Sequence, residues 1–368
     1  MKKTIVLLSG DGIGPEVVRA AATLLKDCAE RFGHQFTTVE YPIGGMAIDR
    51  YGTPLPPETL KACAAAAAIL LGAVGGPQWD SLPLNQRPES GLLELRQKLG
   101  LYVNLRPICL REPLRAVSPL KVEGPRKINS EIVRELSGGI YFGAHRVERT
   151  NGAERATDIE TYSTGEVERV VRFAFERAAG REKRLASVDK ANVLATSTLW
   201  RKTVDRVAQE YPGVSVEHFY VDNAAMQLML RPEQFDVLVT SNLFGDILSD
   251  EAAALVGSIG LVPSMSCGLG PPLFEPIHGS APSLMGKDSA CPIGAILSST
   301  MMLREAFGLY PEADWIESRV DRVLSCGYRT ADIAEPDSTV VGCSTFVELV
   351  RSAMHEASEQ LEEYGWGV

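Results

Sequence analysis

The first hundred or so residues alternate between short apolar runs and amphipathic helical patterns, and this alternation constrains the fold more than any other feature. Residues 4–8 and 68–72 are uninterrupted apolar runs of the kind found in buried strands. Residues 15–32 repeat apolar side chains at helical spacing, starting from a proline that suits a first turn. Residues 36–41 then have strand character and residues 57–66 helix character. This βαβα order predicts an α/β fold with a largely parallel sheet.

The rest of the chain continues this pattern, with one segment of different character. Strands are predicted at residues 185–188, 214–221 and 237–240, and helices at residues 167–179 and 293–307. Residues 149–164 are polar and favour β-structure, which predicts an exposed hairpin. Such a hairpin is either a subunit-contact arm or an ordinary surface loop, and the pattern favours neither.

Length and charge limit the possible classes of function. A chain of 368 residues can form two domains, each with its own core, and no flexible linker separates them. The net charge of −10 disfavours nucleic-acid and membrane-surface binding, because both partners carry phosphates that would repel the protein. An acidic substrate would therefore need a local cluster of arginines.

The cysteines and the apolar runs bear on the compartment. Seven cysteines are scattered without a CxxC pair, which favours a reducing environment over a disulfide or zinc framework. Residues 5–8 end too early for a signal peptide, and residues 64–71 are too few to cross a bilayer. We therefore expect a soluble, cytoplasmic protein.

A glycine-rich turn, GDGIGP at residues 10–15, lies between a predicted strand and helix. Dinucleotide-binding loops occupy such positions, but Pro15 stands where the third glycine of GxGxxG belongs. The turn alone is weak support for cofactor contact. It argues against a standard Rossmann fold.

A cluster of leucines and an arginine follows. If residues 91–99 form a helix, Leu92, Leu93 and Arg96 share one face, and Glu89 lies one turn earlier. Either the leucines are core residues beside a solvated arginine, or they form an apolar pocket next to a carboxylate clamp.

Two further arginines strengthen the second interpretation. Arg106 and Arg134 lie beside apolar, strand-like sequence, where a guanidinium needs a partner because its charge cannot be removed. Arg134 could simply pair with a neighbouring acid. Three arginines could also bind a dicarboxylate through bidentate forks.

Two candidate acid–base groups follow apolar segments. Tyr141 lies in a strand-like stretch after two glycines, and it is either a core tyrosine or a functional hydroxyl. Lys190 follows an apolar strand, so it either extends to solvent or has a catalytic role. Asn192 would point the same way if that strand continued.

Three aspartates could bind a cation. Asp246 and Asp250 are four residues apart, so a helix would place both carboxylates on one face, and Asp222 ends another predicted strand. Oxygen ligands without histidine or cysteine select Mg²⁺ or Mn²⁺. The alternative is that these acids are favoured by a helix dipole, and the two explanations are evenly balanced.

Taken together, the chain resembles the β-decarboxylating dehydrogenases of 2-hydroxy acids, the isocitrate/isopropylmalate dehydrogenase family. The matching motifs run from residues 10–16 to 328–333 and include 71–77, 101–107, 138–143, 188–194, 221–228, 242–251 and 275–282. This resemblance implies a two-domain α/β fold with a mixed sheet that is not Rossmann. Residues 1–101 and 257–368 would form a discontinuous cofactor-binding domain. Residues 102–256 would form the dimerisation and substrate/metal domain, with a β-arm at about 142–165.

The resemblance also implies a role for each candidate residue. Arg96, Arg106 and Arg134 would bind the carboxylates of the substrate, with further substrate contacts from Asn192, Val193 and Asp222. Tyr141 and Lys190 would perform the acid–base steps, and Asp222, Asp246 and Asp250 would ligate Mg²⁺ or Mn²⁺. Because Lys190 and Asp222 would reach in from the neighbouring subunit, a homodimer with shared active sites is expected.

The cofactor implied by the family is NAD. It would contact the loop at residues 278–282, formed by His278, Gly279, Ser280, Ala281 and Pro282. Further contacts would come from Ile13, Gly75, Gly76, Glu89, Ser283 and Cys291. Ser283 and Cys291 depart from the aspartate and asparagine of NAD-dependent relatives. No basic pair replaces them, so NAD remains the expectation.

Glu89, Leu92 and Leu93 would set the choice of substrate. Two leucines favour a branched alkyl group and would reject a third carboxylate. The expected reaction is the NAD-dependent oxidative decarboxylation of 3-isopropylmalate to 4-methyl-2-oxopentanoate, a step of leucine biosynthesis. The alternatives are a sister dehydrogenase acting on malate, tartrate or homoisocitrate, or a relative that binds dicarboxylates without turnover.

Overall fold

The computed structural model describes residues 1–120 and 128–355 of the chain. Within these ranges the strands are β1 (Lys2–Gly10), β2 (Gln35–Glu40), β3 (Ala68–Ala73), β4 (Leu101–Cys109), β5 (Asn129–Glu135), β6 (His145–Thr150), β7 (Ala153–Asp158), β8 (Arg184–Asp189), β9 (Ser215–Tyr220), β10 (Val237–Thr240), β11 (Pro263–Gly268), β12 (Leu273–Pro276), β13 (Tyr328–Arg329) and β14 (Thr339–Val340). The helices are α1 (Gly14–Phe32), α2 (Gly45–Tyr51), α3 (Pro57–Ala65), α4 (Pro88–Lys98), α5 (Thr164–Ala179), α6 (Ala195–Ala208), α7 (Val221–Leu230), α8 (Asn242–Leu255), α9 (Ile293–Phe307), α10 (Tyr310–Ser325) and α11 (Cys343–His355).

One mixed sheet organises the described part of the chain. Its ten strands follow the order β2-β1-β3-β12-β11-β4-β5-β10-β8-β9. The strands are parallel on both sides, from β2 to β12 and from β5 to β9, whereas β11 and β4 run antiparallel to their neighbours. The mixed sheet expected from the family resemblance is confirmed. The largely parallel sheet expected from the first hundred residues holds only for its two sides.

Helices cover the sheet because their apolar faces match its buried surfaces. All six residues of β3 are buried, as expected for a strand covered on both faces. Helix α9 is buried around most of its circumference and contacts α1, β11 and β12. Helix α1 begins beside Pro15 and ends where Gly33 adopts the left-handed conformation.

Several predicted elements match the structure closely. The predicted bounds of β10 and α9 are confirmed to the residue. The exposed hairpin also exists, but it is formed by β6 and β7, and so begins and ends earlier than predicted. Tyr162, predicted to lie in the hairpin, is instead buried and packs edge-on against Trp200.

The two ends of the chain meet in the sheet. Strands β12 and β11, from beyond residue 257, lie between β3 and β4. The proposed domain boundaries at 101/102 and 256/257 remain a prediction, and residues 121–127 and 356–368 of those domains lie outside the described residues. None of the helices in the described ranges has the length and apolarity needed to cross a membrane.

Candidate active site

A cleft of about 380 Å³ opens between the carboxyl end of β5 and the residues that follow β3 and β12. It brings together most of the predicted substrate-binding residues. Its lining includes Glu89, Leu92, Leu93, Arg96, Arg106, Arg134, Tyr141, Asp246, His278 and Gly279. These residues come from α4, β4, β5, α8 and two loops, so the site depends on the whole central sheet.

The leucines and Arg96 do not form an ordinary core edge. Leu92 and Leu93 are half-buried and line the cleft. Arg96 is only 8% exposed, and its Nη2 lies 2.6 Å from Glu275 Oε1. The interpretation of Arg96 as a solvated arginine is therefore wrong, because α4 directs it inward onto β12.

The other two arginines share acidic partners on α8. Arg106 Nη2 donates to Asp246 at 3.2 Å, and its Nη1 lies 3.3 Å from Asp250. Arg134 Nη1 donates to Asp246 at 2.5 Å. Burial and the nearby Arg106 lower the pKa of Arg134 to about 10, which still leaves it protonated at neutral pH. Two full positive charges therefore line this end of the cleft.

Asp246 and Asp250 lie on one face of α8, as their spacing predicts, since both contact Arg106. Burial opposes ionisation of Asp246, but Arg134 and Arg106 outweigh it and hold its pKa below the usual value. At Asp250 burial outweighs the attraction of Arg106 and Arg134, and the charge of Asp246 adds to the effect of burial, so the pKa of Asp250 is raised. The two carboxylates thus differ in acidity despite their similar positions.

Tyr141 lies in a short 3₁₀ turn, Ile140–Phe142, and the strand-like interpretation of this stretch is wrong. Gly139, at φ +79°, ends the extended backbone before it. The Tyr141 hydroxyl donates to Asp246 Oδ2 at 2.9 Å. Burial and this carboxylate raise the pKa of the phenol, so it stays protonated at neutral pH.

Lys190 and Asp222 do not line the cleft formed by their own chain. They pair with each other, with Lys190 Nζ 2.5 Å from Asp222 Oδ1, and the Asp222 side chain is 68% exposed. Asp222 is the second residue of α7, so the prediction that it ends a strand is wrong. Within the described ranges, this chain therefore supplies two of the three predicted metal ligands to one place.

Asn192 and Val193 lie in the turn between β8 and α6. Strand β8 ends at Asp189, whose carboxylate accepts a hydrogen bond from the Ala191 backbone at 2.9 Å. This local turn stops the strand, so the expectation that Asn192 lies on its continuation is wrong. Val193 is 70% exposed.

Three of the predicted cofactor residues, Glu89, His278 and Gly279, line the cleft. The backbone N–H of Ile13 donates to the Ser280 carbonyl at 2.8 Å, which joins the glycine-rich turn to the loop of residues 278–282. Gly75 and Gly76 follow the lining residues 72–74, and the Gly75 N–H donates to the buried Asp11 carboxylate at 2.8 Å. The three loops are thus fixed to one another mainly through backbone groups.

The two residues that depart from the family pattern have different environments. Ser283 lies in an exposed 3₁₀ turn, Pro282–Leu284, where its side chain is accessible. Cys291 is buried against Gly260, and burial raises the pKa of its thiol. His278 is also buried, and burial lowers the pKa of its imidazole.

Sequence reasoning did not assign a role to several residues that support the site. Asn242 contacts Arg134, Asn104 and Ser249 contact Arg106, and Glu275 contacts Arg96. Glu275 could have been found as an acid within an otherwise apolar strand. The others are polar residues of ordinary type, whose importance depends on their partners.

Comparisons with known proteins agree with this architecture. The family model described as isocitrate/isopropylmalate dehydrogenase matches residues 4–350. The 3-isopropylmalate dehydrogenase of Halalkalibacterium halodurans is 52% identical over 360 residues, which covers 96% of this chain and 99% of that protein. The enzyme of the same name from Bacillus subtilis is 54% identical over 340 residues, covering 92% and 93%.

Solved structures show the same fold. An isocitrate dehydrogenase from Methylococcus capsulatus superposes with a TM-score of 0.86 at 34% identity, over 96% of this chain and all of that one. A β-decarboxylating dehydrogenase from Thermococcus kodakarensis gives a TM-score of 0.77 at 35% identity, over 100% of this chain and 99% of that one. The family expected from the sequence motifs is confirmed: the chain is a decarboxylating dehydrogenase that belongs to the isocitrate/isopropylmalate dehydrogenase family.

Proposed function

We propose that this enzyme catalyses the NAD-dependent oxidative decarboxylation of 3-isopropylmalate to 4-methyl-2-oxopentanoate, a step of leucine biosynthesis. The observation that carries the proposal is a cleft lined by three buried arginines together with Leu92 and Leu93. Arginines recognise two carboxylates, and the leucines suit a branched alkyl group. Relatives that share 52–54% of their residues with this chain carry the name of this activity.

Arg96, Arg106 and Arg134 bind the substrate in this proposal. Their charges are compensated by Glu275, Asp246 and Asp250. A dicarboxylate would take over part of this pairing as it enters. A third carboxylate, as in isocitrate, would instead have to lie against Leu92 or Leu93, where no hydrogen-bond donor compensates its burial.

The donor set suits Mg²⁺ or Mn²⁺. Asp246 and Asp250 offer oxygen ligands only, and Asp250 is open to solvent on one side, with 54% of its side chain exposed. Asp222 of a second subunit would be the third ligand. Bound there, the cation would supply Lewis-acid stabilisation of negative charge on the substrate oxygen.

Lys190 and Tyr141 move the protons in this proposal. Lys190 of the second subunit would accept the proton of the substrate hydroxyl through a water. NAD, when bound, would supply the hydride acceptor for the carbon that carries this hydroxyl. Loss of CO₂ breaks the bond between the adjacent, isopropyl-bearing carbon and its carboxylate. The electron pair of this bond forms an enolate, and Tyr141 delivers a proton to the carbon from which CO₂ has left. A raised pKa suits Tyr141 to this role, because the phenol must carry its proton until this step.

NAD would bind against the loops that contain Ile13, Gly75 and residues 278–283. Glu89 and Gly76 border the same region, and the buried Cys291 would support the loop from beneath. The exposed Ser283 would face the adenosine part. We propose the reducing cytoplasm as the compartment, since the cysteines are scattered without a CxxC pair and six of them, Cys28, Cys63, Cys267, Cys291, Cys326 and Cys343, are free thiols in the described structure.

An exposed apolar surface supports a homodimer. Helices α7 and α8 pack together and expose Met226 (50%), Leu230 (58%) and Ile247 (58%). The hairpin exposes Val147 (66%) as well. Exposed apolar residues grouped on neighbouring elements are typical of subunit contacts. The homodimer would bring Lys190 and Asp222 to the cleft of the other subunit.

Mixing two inactive variants tests the shared site. Lys190→Ala and Tyr141→Phe should each lower kcat by about 100-fold or more, within the range for an acid–base group. Heterodimers formed by co-expression should restore one intact site of two, giving about a quarter of wild-type activity for random pairing in a symmetric dimer. Lys202→Ala, which removes an exposed lysine of α6, is the control. No recovery on mixing would mean that Lys190 acts within its own chain.

A substrate panel tests the assignment of 3-isopropylmalate. We expect kcat/KM for 3-isopropylmalate to exceed that for isocitrate, malate, tartrate and homoisocitrate by at least about tenfold, since an unpaired buried carboxylate or a lost apolar contact costs more than 1.4 kcal/mol. Equal values for 3-isopropylmalate and any other member of the panel would contradict the assignment. Binding without NADH formation would indicate a relative without turnover.

A further inference from the structure

Asn242 lies in the site where three elements meet: β5, the turn that leads to Tyr141, and the start of α8. It is the first residue of α8 and follows β10 after a single residue. The residue is 1% exposed and lines the cleft. Its backbone N–H donates to the hydroxyl oxygen of Tyr162 at 2.9 Å, which fixes the start of the helix that carries Asp246 and Asp250.

The side-chain oxygen of Asn242 holds one edge of Arg134. It accepts hydrogen bonds from Nε at 3.0 Å and from Nη2 at 2.8 Å. Two bonds to one edge fix the plane of the guanidinium and leave Nη1 directed at Asp246. The orientation of Arg134 therefore depends on Asn242.

The side-chain nitrogen of Asn242 holds the turn that leads to Tyr141. It donates to the Gly138 carbonyl at 3.0 Å. On the other side of this turn, the Gly138 N–H donates to Glu135 Oε2 at 2.8 Å. One amide thus connects the arginine, the tyrosine turn and the helix of aspartates.

An amide is neutral, so unlike a carboxylate it does not compensate the charge of an arginine that it binds. Arg96 is held by the carboxylate of Glu275, whereas Arg134 pairs with Asp246 through Nη1 and is held at its other edge by a neutral group. Arg106 has the same kind of support, since its Nε donates to Asn104 Oδ1 at 2.7 Å. A neutral support fixes a guanidinium while leaving its charge available to an anion.

We propose that Asn242 is a positioning residue that orients Arg134 and the Tyr141 turn together, and whose neutral amide adds no negative charge to that which Asp246 already places on Arg134. The inference rests on the proposed function, because it takes Arg134 as a carboxylate-binding residue and Tyr141 as the proton donor. Substitution of Asn242 should therefore affect binding of the dicarboxylate and the rate, but not binding of the dinucleotide.

The test compares Asn242→Asp with Asn242→Ala in the full-length enzyme. Both variants lose the donor to Gly138, so both should lower kcat. Only the aspartate adds a negative charge against Arg134, so Asn242→Asp should weaken binding of 3-isopropylmalate, measured by calorimetry with Mg²⁺, by about tenfold more than Asn242→Ala. KM for NAD should stay within about twofold of wild type in both, since no contact to the dinucleotide loops is changed.

Asn129→Asp is the matched control. The Asn129 side-chain oxygen also accepts from an arginine, Arg181 Nη2 at 3.3 Å, but it lies outside the cleft. This variant should bind 3-isopropylmalate like the wild type. If Asn129→Asp weakened binding as much as Asn242→Asp, the effect would be one of overall charge and the inference would be overturned.

The outcomes separate the inference from the proposed function. Wild-type enzyme that neither binds nor oxidises 3-isopropylmalate would reject the proposed function. If the wild type is active and Asn242→Asp and Asn242→Ala bind 3-isopropylmalate with equal affinity, the part of the inference that concerns charge is overturned. If Asn242→Asp does not fold, Asn242→Ala decides: unchanged kcat and dicarboxylate KM would overturn the positioning role.

Discussion

The two ends of the cleft are built from different parts of the chain. At the arginine end, formed by Arg106, Arg134, Asn242 and Asp246, side chains from strands and a helix bind one another. At the glycine end, formed by residues 12–13, 75–76 and 278–283, loops are joined mostly by backbone hydrogen bonds, such as that from Ile13 to Ser280. The first end is therefore held by pairs of charged side chains, whereas at the second end backbone N–H groups donate to a backbone carbonyl and to the Asp11 carboxylate.

This difference indicates how each end responds to change. A charged side chain can be replaced without moving the backbone, so a substitution at the arginine end should alter the affinity for one ligand. At the glycine end an added Cβ must displace a neighbouring loop, so stability and affinity should change together. Variants at each end should thus affect different ligands. Three predictions test this separation, and a fourth tests the burial of His278 at the glycine end.

The largest effect is expected for Arg134→Met. Removal of a charge-assisted donor pair should raise KM for 3-isopropylmalate by about 100-fold, because each such bond contributes roughly 1.5–3 kcal/mol. KM for NAD should change by no more than about twofold if the two ends are independent. Arg181→Met, which removes a buried ion pair to Asp236 outside the cleft, is the control and should lower only stability. A comparable rise in KM for NAD would show that the two ends of the cleft are not independent.

Gly12→Ala should have the next largest effect, and on the other ligand. A Cβ at Gly12 would lie 1.9 Å from the Ser280 carbonyl oxygen, so the two loops must separate. Gly33→Ala has a similar positive φ, +71° against +58°, but meets no atom within 4 Å. Backbone strain should cost both variants about 1–2 kcal/mol of unfolding free energy, and Gly12→Ala should lose more because its loops must also separate. Only Gly12→Ala should raise KM for NAD, by about tenfold, and equal NAD KM values would contradict loop contact.

Ser283→Asp adds a negative charge to the glycine end and tests whether this end contacts the dinucleotide. A carboxylate there would accept bonds from ribose hydroxyls and repel a 2′-phosphate. The NAD-to-NADP ratio of kcat/KM should therefore rise by about tenfold, measured with saturating substrate. Ser283→Asn, of similar size but neutral, should leave the ratio near that of wild type. An unchanged ratio in Ser283→Asp would show that Ser283 lies away from the ribose.

The smallest effect is expected from the titration of His278. Burial lowers its pKa below the usual 6.5, so on acidification the unfolded chain takes up a proton before the folded protein does. The His278 contribution to stability should therefore be lost as the pH falls through about 6.5 towards the lower folded pKa. Between pH 7.5 and 5.5, wild type should lose about 1 kcal/mol more unfolding free energy than His278→Gln. Urea unfolding at both pH values measures this, and equal losses would contradict burial of a neutral imidazole.

The sequence predicted the arginine end better than its supports. Arg106 and Arg134 stood out because charged residues in apolar surroundings need partners, and Asp246 because it lies four residues before Asp250. Asn242 did not stand out, because asparagine is a common residue and its importance depends on the groups that its side chain contacts. The Tyr141 stretch was predicted as strand because its side chains are apolar, whereas the glycines before it turn the backbone.

The fold was predicted well where patterns are local. Strand β10 and helix α9 have continuous apolar sequence with clear ends, and their bounds were found to the residue. The order of strands was not derivable from such patterns, since pairing between β3 and β12 joins distant segments. In the proposed homodimer, Lys190 and Asp222 reach a site only through a second chain, and the pattern of a single chain does not contain that arrangement.

The insertion of β12 and β11 between β3 and β4 has a consequence for synthesis of the chain. Ile69 pairs with Leu273, so β3 keeps an unpaired edge until about 200 further residues have left the ribosome. An open, fully apolar strand edge is a template for pairing with other chains. The nascent protein therefore passes through a long period in which its central sheet is incomplete, and the speed of translation beyond β3 sets how long that edge is open to aggregation or to chaperones.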